Sequence, residues 1–364
     1  MSKHEHYMAR ALQLAARGLF TTDPNPRVGC VIVKDDRIVA EGWHQRAGEG
    51  HAEVNAIANA GDKAKGADCY VTLEPCSHFG RTPPCADLLV NAGVKRVFIA
   101  MKDPNPLVSG NGIKRLQSAG IEVIDALLSE QAEQLNPGFC KRMRTGLPYV
   151  RAKIAMSIDG RTAMSSGESK WITGSQARQD VQKLRARSSA ILSGMGTVLA
   201  DDPAFTVRPE GDWYPEDQSI RQPLKVIVSS QSALPNNSQL LKQQGDVLLV
   251  CTEQLPSIQG VSVLTVAEKN GRVDLHELMT ELGRLEINEV MVEAGSVLNG
   301  SLLDAGLIDE LVIYMAPKIM GDSSKGLFHL PELQAMSQNI DVTITDMRAV
   351  GNDWRITAKP NQRG

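Results

Sequence analysis

Apolar positions in the first third of the chain change period several times. Met8, Leu12 and Ala15 recur at helical spacing and Gly18 ends the run, which predicts a helix over 5–17. Thr21 to Pro26 is a turn-rich loop with two prolines. A continuous apolar run predicts a strand over 28–33. The polar stretch Lys34-Asp35-Asp36-Arg37 then makes a hairpin turn into a second strand over 38–43. Helices are expected over 51–60, 84–92 and 112–119, closed by Gly61, Gly93 and Gly120. Strands are expected over 68–73, 96–101 and 121–124. A helix, two strands, then repeated helix–strand units predict an α/β domain of three layers, α/β/α, around a mixed sheet.

The pattern breaks at the basic stretch Lys141-Arg142-Met143-Arg144-Thr145-Gly146-Leu147-Pro148, which places a domain boundary there and divides the chain into 1–146 and 147–364. The second segment restarts with a strand over 149–157. A helix over 175–187 and a strand over 190–193 follow, then strands over 224–228, 247–250 and 261–266. Helices over 275–285 and 297–305 lead into strands over 289–293 and 310–316, and two strands near 342–346 and 354–358 close the chain. Residues 208–222 are polar and punctuated by proline, as in a long surface loop. The alternating run 311–316 suits either a dimer surface or a core strand.

The 364 residues are enough for two or three domains. Aromatic residues are only 4%, so the cores must be aliphatic. The net charge of −3 and the shortage of aromatics argue against a nucleic-acid-binding groove, so a deaminase of nucleic acid with a binding module is the weaker reading. No apolar run approaches the roughly 18 residues of a bilayer span, and the start has no signal-peptide pattern. A cytoplasmic location, no membrane and no nucleic-acid partner are therefore expected. Five of the six cysteines and five of the seven histidines precede residue 145. In a reducing compartment such clustering reads as metal or catalytic chemistry before disulfides.

The sharpest pattern is His51-Ala52-Glu53, then Pro75-Cys76, then Cys85. One imidazole and two thiolates give three ligands to a tetrahedral Zn²⁺ and leave a fourth position for water, as in a catalytic rather than a closed structural site. Zinc in such a site lowers the pKa of bound water toward 7. Glu53, two residues from His51, suits a proton shuttle from that water to a ring nitrogen and then to leaving ammonia. This order of residues is the pattern of zinc nucleobase deaminases. Those enzymes space the cysteines as C-x-x-C, whereas here Ser77 to Pro84 intervene. Two other readings stay open on the residues alone: a structural zinc knot closed by His78 or Cys69, and cysteines that are merely buried. A zinc scaffold without enzymatic activity would follow from the first.

The run Leu73-Glu74-Pro75-Cys76-Ser77-His78-Phe79-Gly80-Arg81-Thr82-Pro83-Pro84-Cys85 resembles the bifunctional riboflavin-biosynthesis deaminase/reductases, as does Asn25-Pro26-Arg27-Val28-Gly29. That family also has a long loop between the two cysteines. The resemblance covers essentially the whole chain in the family's domain order. It implies a cytidine-deaminase-like domain followed by a dihydrofolate-reductase-like α/β domain. It implies a phosphorylated diamino-ribosylamino-pyrimidinone as substrate, whose exocyclic amine is hydrolysed to a carbonyl. Asn25 then becomes a candidate hydrogen-bond partner of ribose or base, with a plain turn residue as the alternative. His44, His78 and Arg81 become candidate cations for the phosphate, with solvated surface charge as the alternative. Cys30 reads as core packing, and Asp103-Pro104-Asn105-Pro106 as a rigid turn near the site mouth.

In the second segment Gly194-Met195-Gly196 lacks the third glycine of a dinucleotide fingerprint, since Leu199 stands in its place. The stretch Val290 to Gly300 is a strand, a glycine turn and a helix start, whose free N–H groups suit a phosphate but also ordinary packing. Ala155-Met156-Ser157-Ile158-Asp159-Gly160-Arg161 and Thr197-Val198-Leu199-Ala200-Asp201-Asp202-Pro203 resemble the reductase domain of the same family, which uses NADPH. By position, the resemblance puts the cofactor at Ala155, Trp171, Thr197, Asp201, Gly295, Ser296, Val297, Leu298, Asn299, Gly300 and Ser301. It puts the substrate at Ser169, Arg185, Phe205, Arg208 and Glu293. Phe205 stands where the family more often has leucine. Ser229-Ser230 stands where it often has Asp-Ser, so Ser230 is a weaker cofactor assignment. The implied second step is hydride transfer to the sugar C1′, with Lys153, Asp201 and Glu293 as candidates for handling the proton. The expected partners are a small phosphorylated pyrimidine and a second copy of the chain, a dimer being the favoured homo-oligomer.

Overall fold

The computed structural model describes residues 2–77, 83–106, 108–215, 219–230, 234–254 and 258–361. The chain forms two compact units, Met1–Gly146 and Leu147–Gly364.

The first unit runs α1 (Lys3–Ala16), β1 (Gly29–Lys34), β2 (Arg37–Trp43), α2 (Ala52–Ala60), β3 (Asp68–Val71), α3 (Cys85–Asn91), β4 (Arg96–Ile99), α4 (Asn111–Ser118), β5 (Glu122–Ile124), α5 (Ser129–Leu135) and α6 (Pro137–Thr145). Its sheet has the order β2-β1-β3-β4-β5. The β1 strand is antiparallel to both neighbours, and β3, β4 and β5 are parallel, so the sheet is mixed as the element order implied. The turn from β1 to β2 is made by Asp35 and Asp36, both at positive φ, which matches the twist of a tight hairpin.

Two glycines fix the layers. Cys30 pairs with Gly42 across β1 and β2, so these two share a sheet face, and Gly29 points to the other. A Cβ on Gly29 would strike the α1 backbone at Ala11 and Ala15. One on Gly42 would strike the α2 backbone at Ala52 and Ala56. Helices α1 and α2 therefore lie on opposite faces, which gives the three layers. The core between them is built from Met8, Leu14, Val31, Ile32, Tyr70 and Ile99, nearly all aliphatic.

The basic stretch at the boundary differs from its sequence reading. Lys141–Thr145 completes α6, whose end is set by Gly146 in the left-handed region. The break in pattern lies after the helix, not within it.

The second unit runs β6 (Tyr149–Ser157), β7 (Arg161–Ala163), α7 (Ser175–Arg187), β8 (Ala190–Gly194), α8 (Met195–Asp201), β9 (Leu224–Val228), α9 (Gln239–Lys242) and β10 (Val247–Cys251). It continues with β11 (Val261–Thr265), β12 (Glu268–Lys269), β13 (Arg272–Val273), α10 (Leu275–Arg284), β14 (Glu289–Val292) and α11 (Ser296–Asp304). It ends with β15 (Glu310–Ala316), β16 (Lys325–Gly326), β17 (Val342–Val350) and β18 (Asp353–Pro360). Nine strands form one sheet in the order β11-β10-β9-β8-β14-β6-β15-β18-β17. The strands from β11 to β15 are parallel, and β18 and β17 are antiparallel additions at the edge. The run 311–316 is a central strand between β6 and β18, so it belongs to the core. Beside it the buried Arg151 guanidinium is held by Glu310 and, at 3.0 Å, by Glu289, which also takes Arg187 at 3.0 Å. At the carboxyl ends of the parallel strands the chain turns into α8 and α11, the place where open parallel sheets form ligand crevices.

Candidate functional site

In the first unit, His51 is the N-cap residue of α2, in extended conformation, and Cys85 is the first residue of α3. Cys76 follows β3 in the turn that leads toward α3. The donor atoms of His51, Cys76 and Cys85 lie within 4.8 Å of one another. His51 Nδ1 is 3.2 Å from Cys85 Sγ and 3.7 Å from Cys76 Sγ, while the Cys85 amide donates to Cys76 Sγ at 3.2 Å. Bond lengths of 2.0–2.3 Å at a tetrahedral zinc put neighbouring donors about 3.5–3.8 Å apart, so this set fits the ion with little movement. Hydrogen bonds from Cys85 and then His51 pull the Cys76 thiol below its ordinary value, against the opposing effect of burial.

Glu53 sits in the first turn of α2 and is buried beside these donors. Burial pushes its carboxyl up to about 7, partly offset by the His51 charge. A dication at the ligand set would lower it again. Cys69 is not part of the cluster. Its sulfur lies 3.5 Å from that of Cys30 on the neighbouring strand, and both are buried in the core. The knot closed by Cys69 is thereby set aside.

The expectation for His44 changes. Its ring is buried, Nε2 meets Asn25 Nδ2 at 3.1 Å, and Nδ1 meets the Gly50 carbonyl at 3.1 Å. Burial holds its pKa below the usual value. It is a buried hydrogen-bonding group next to the His51 ring rather than a solvated surface charge. His78 and Arg81 lie outside the described residues.

In the second unit a cavity of about 1950 Å³ opens at the carboxyl ends of the parallel strands. Every cofactor and substrate residue expected from the sequence lines it except Gly300. Gly300 instead packs where a Cβ would collide with the His329 backbone, so its small size serves helix packing. Arg185 on α7 is paired with Glu293 at the end of β14, Nε to Oε1 at 2.6 Å and Nη2 to Oε2 at 3.1 Å. Its third donor reaches the Thr206 carbonyl at 3.0 Å. Burial raises the Glu293 carboxyl, but the charges of Arg185 and Lys153 outweigh it and hold it below its ordinary value. Burial likewise depresses Lys153. Ser169 donates to Asp201 at 3.4 Å.

The residues fit a dinucleotide. The first turn of α11 presents its amides at Gly295, where a Cβ would meet no atom of the described residues within 4 Å, so the approach is open. Asn299 donates to the Ala294 carbonyl, yet its buried Oδ1 has no partner among the described residues, which suits an acceptor for a ligand's donor. Sequence reasoning missed Arg178, whose guanidinium lies 4.7 Å over the Trp171 ring at the cavity wall. The signal was available: Arg178 and Arg185 are two turns apart on α7 and share a face.

The comparisons agree with this geometry. Residues 1–101 match the family model of the cytidine and deoxycytidylate deaminase zinc-binding region, and residues 148–356 match that of the RibD C-terminal domain. The riboflavin biosynthesis protein RibD of Escherichia coli K12 is 54% identical over 357 residues, covering 96% of this chain and 97% of the relative. That of Haemophilus influenzae is 50% identical, with 97% and 96% covered. Among solved structures, Acinetobacter baumannii RibD is 44% identical with a TM-score of 0.92, covering 99% of both chains. A diaminohydroxyphosphoribosylaminopyrimidine deaminase/5-amino-6-(5-phosphoribosylamino)uracil reductase from Thermotoga maritima is 33% identical with a TM-score of 0.87 and the same coverage. The chain belongs to the RibD family of bifunctional riboflavin-biosynthesis enzymes, with a zinc-dependent deaminase unit followed by an NADPH-dependent reductase unit.

Proposed function

We propose that the first unit deaminates 2,5-diamino-6-(5-phosphoribosylamino)pyrimidin-4(3H)-one to 5-amino-6-(5-phosphoribosylamino)uracil, and that the second unit reduces the ribosyl side chain of that product to ribityl. The observation that carries the first step is the three-donor set of His51 Nδ1, Cys76 Sγ and Cys85 Sγ with one buried carboxyl, Glu53, beside it. When bound there, zinc supplies a Lewis acid that activates water. Glu53 holds and moves protons: its carboxylate would accept one from the attacking water and pass it to the pyrimidine ring nitrogen, then accept a second from the added hydroxyl and pass it to the departing amine. Burial excludes bulk water from that path.

NADPH, when bound, supplies the hydride. The amides at Gly295–Ser301 would hold its phosphates, with Ala155, Trp171, Thr197, Asp201 and Ser230 along its length. Ser169, Phe205 and Arg208 would contact the substrate, together with Arg185 and Glu293. Arg208 is the better phosphate clamp of the two arginines, because Arg185 is already engaged by Glu293 and Thr206. Lys153 and Glu293 both line the cavity and feel each other's charge; Lys153, whose pKa burial lowers, is the better placed of the two to give up a proton near the opened sugar.

The chain would act as a dimer in the cytoplasm. Supporting the dimer, Trp354 and Ile356 on β18 share a face with Met347 on β17, and beyond the bulge with Ile344 and Val342. Most of that apolar face is exposed, at the edge of the sheet. Supporting the cytoplasm, all six cysteines are free, and no helix among the described residues is long and apolar enough to cross a membrane. Ammonia release from the diamino-pyrimidinone phosphate, assayed with and without zinc, tests the deaminase assignment. An equal rate in both would overturn it.

A further inference from the structure

Glu74 lies two residues before Cys76 and is 4% exposed. Its carboxylate accepts hydrogen bonds from four backbone amides. Oε2 takes Asp103 at 3.1 Å and Gly110 at 3.0 Å, and Oε1 takes Gly112 at 2.9 Å and Ile113 at 3.3 Å. Its own amide donates to the Met101 carbonyl at 3.0 Å. Gly112 and Ile113 belong to the first turn of α4, where amides lack helical partners and negative charge is favoured.

This helix start presses on the metal-ligand turn. A Cβ on Gly112 would fall within the van der Waals shell of the Pro75 carbonyl oxygen and lie 3.2 Å from Glu74 Oε1. From the other side, α3 holds Cys76: the Ala86 amide donates to the Cys76 carbonyl at 3.1 Å, and the Cys85 amide donates to its sulfur. The Pro75–Cys76 peptide is thus caught between two helix starts. Glu74 is the fastening on the α4 side. A glutamine could not replace it, because one of its two terminal atoms would turn a donor toward donors.

We propose that Glu74 is a positioning residue of the deaminase centre: its carboxylate locks the start of α4 against the Pro75–Cys76 turn and so holds the Cys76 sulfur opposite His51 and Cys85. This rests on the assignment of His51, Cys76 and Cys85 as the zinc ligands. Glu74 touches neither metal nor substrate and acts through the ligand it anchors, as outer partners of metal ligands commonly do.

The test uses the full-length zinc protein, with Glu74→Gln and Gly112→Ala as independent disturbances of the same contact. Zinc affinity is read by competition with a chromogenic chelator, and ligand geometry by the visible spectrum of the Co²⁺-substituted protein. The deaminase kcat and KM are measured beside reduction of the deaminated intermediate by the same sample. Glu74→Gln is expected to weaken zinc binding about 10–100-fold, to change the cobalt spectrum and to lower the deaminase kcat more than it changes KM. The reductase rate stays at the wild-type value and reports a folded second unit. Gly112→Ala is expected to move the same readouts in the same direction, and it decides the matter should Glu74→Gln misfold. Wild-type zinc affinity and cobalt spectrum in both variants would overturn the proposal, as would loss of deamination with both readouts unchanged. A wild-type protein that binds neither zinc nor cobalt would overturn the ligand assignment itself.

Discussion

Arg185 and Glu293, 108 positions apart in the chain, form a bidentate ion pair at the wall of the reductase cavity. Both side chains are nearly buried, so each depends on the other for compensation of its charge. Glu293→Gln is expected to leave Arg185 unpaired and to destabilise the second unit by about 3–5 kcal/mol. Urea unfolding followed by tryptophan fluorescence measures this. Reduction should fall steeply while ammonia release stays unchanged.

The same pair sets a pH dependence. Glu293 is held below its ordinary value in the folded protein, so its pairing stabilises the second unit at neutral pH. That stability is fully present above the unfolded value of about 4.3 and is lost as pH falls through the lower folded value. The Tm of the wild type should therefore drop below about pH 4 by more than that of Glu293→Gln. Parallel Tm curves for the two proteins would contradict the pairing.

Glu53→Gln keeps the shape of the carboxyl but cannot accept the proton. Deamination should fall by about 10²–10⁴-fold, with zinc content and the reductase rate unchanged. Zinc content by emission spectroscopy and ammonia release together check this.

Gly42→Ala reaches the metal centre without touching it. The added Cβ would lie 2.6 Å from the Ala52 carbonyl oxygen, in the first turn of the helix that carries Glu53. Overpacking of this kind costs about 1–3 kcal/mol. The variant should lose deaminase activity and first-unit stability while its reductase rate persists.

How much of this was legible in the sequence follows from the kind of constraint at each place. The zinc ligands and Glu53 stood out because metal ligation admits few residue types and those types are rare. Most helices and strands followed their periodicity. Helices α5 and α6 did not: Leu128, at the entrance to α5, is at positive φ where no turn residue marks the site, and α6 runs through the basic stretch that reads as a break. Glu74 was invisible since its partners are backbone amides, which leave no trace in side-chain pattern. The expectations for the reductase residues came from resemblance. Their grouping joins strand ends distant in sequence, and no glycine fingerprint marks it. The apolar run 311–316 read equally as surface or core, and only its two sheet neighbours decide.

The β17–β18 face yields a separate expectation. Ile344→Lys and Met347→Lys together place two charges on the exposed apolar face. Sedimentation velocity should show the wild type as a dimer and the double variant as a monomer. A monomeric wild type would remove this face from consideration.

One chain would carry both reactions, deamination before reduction. NADPH oxidation by the full-length protein supplied with the undeaminated pyrimidinone phosphate tests it most directly, before and after zinc is stripped. Oxidation that stripping abolishes, and that the deaminated intermediate restores without zinc, is the predicted result. Oxidation of NADPH at an unchanged rate after stripping, or none with either substrate, would contradict the account.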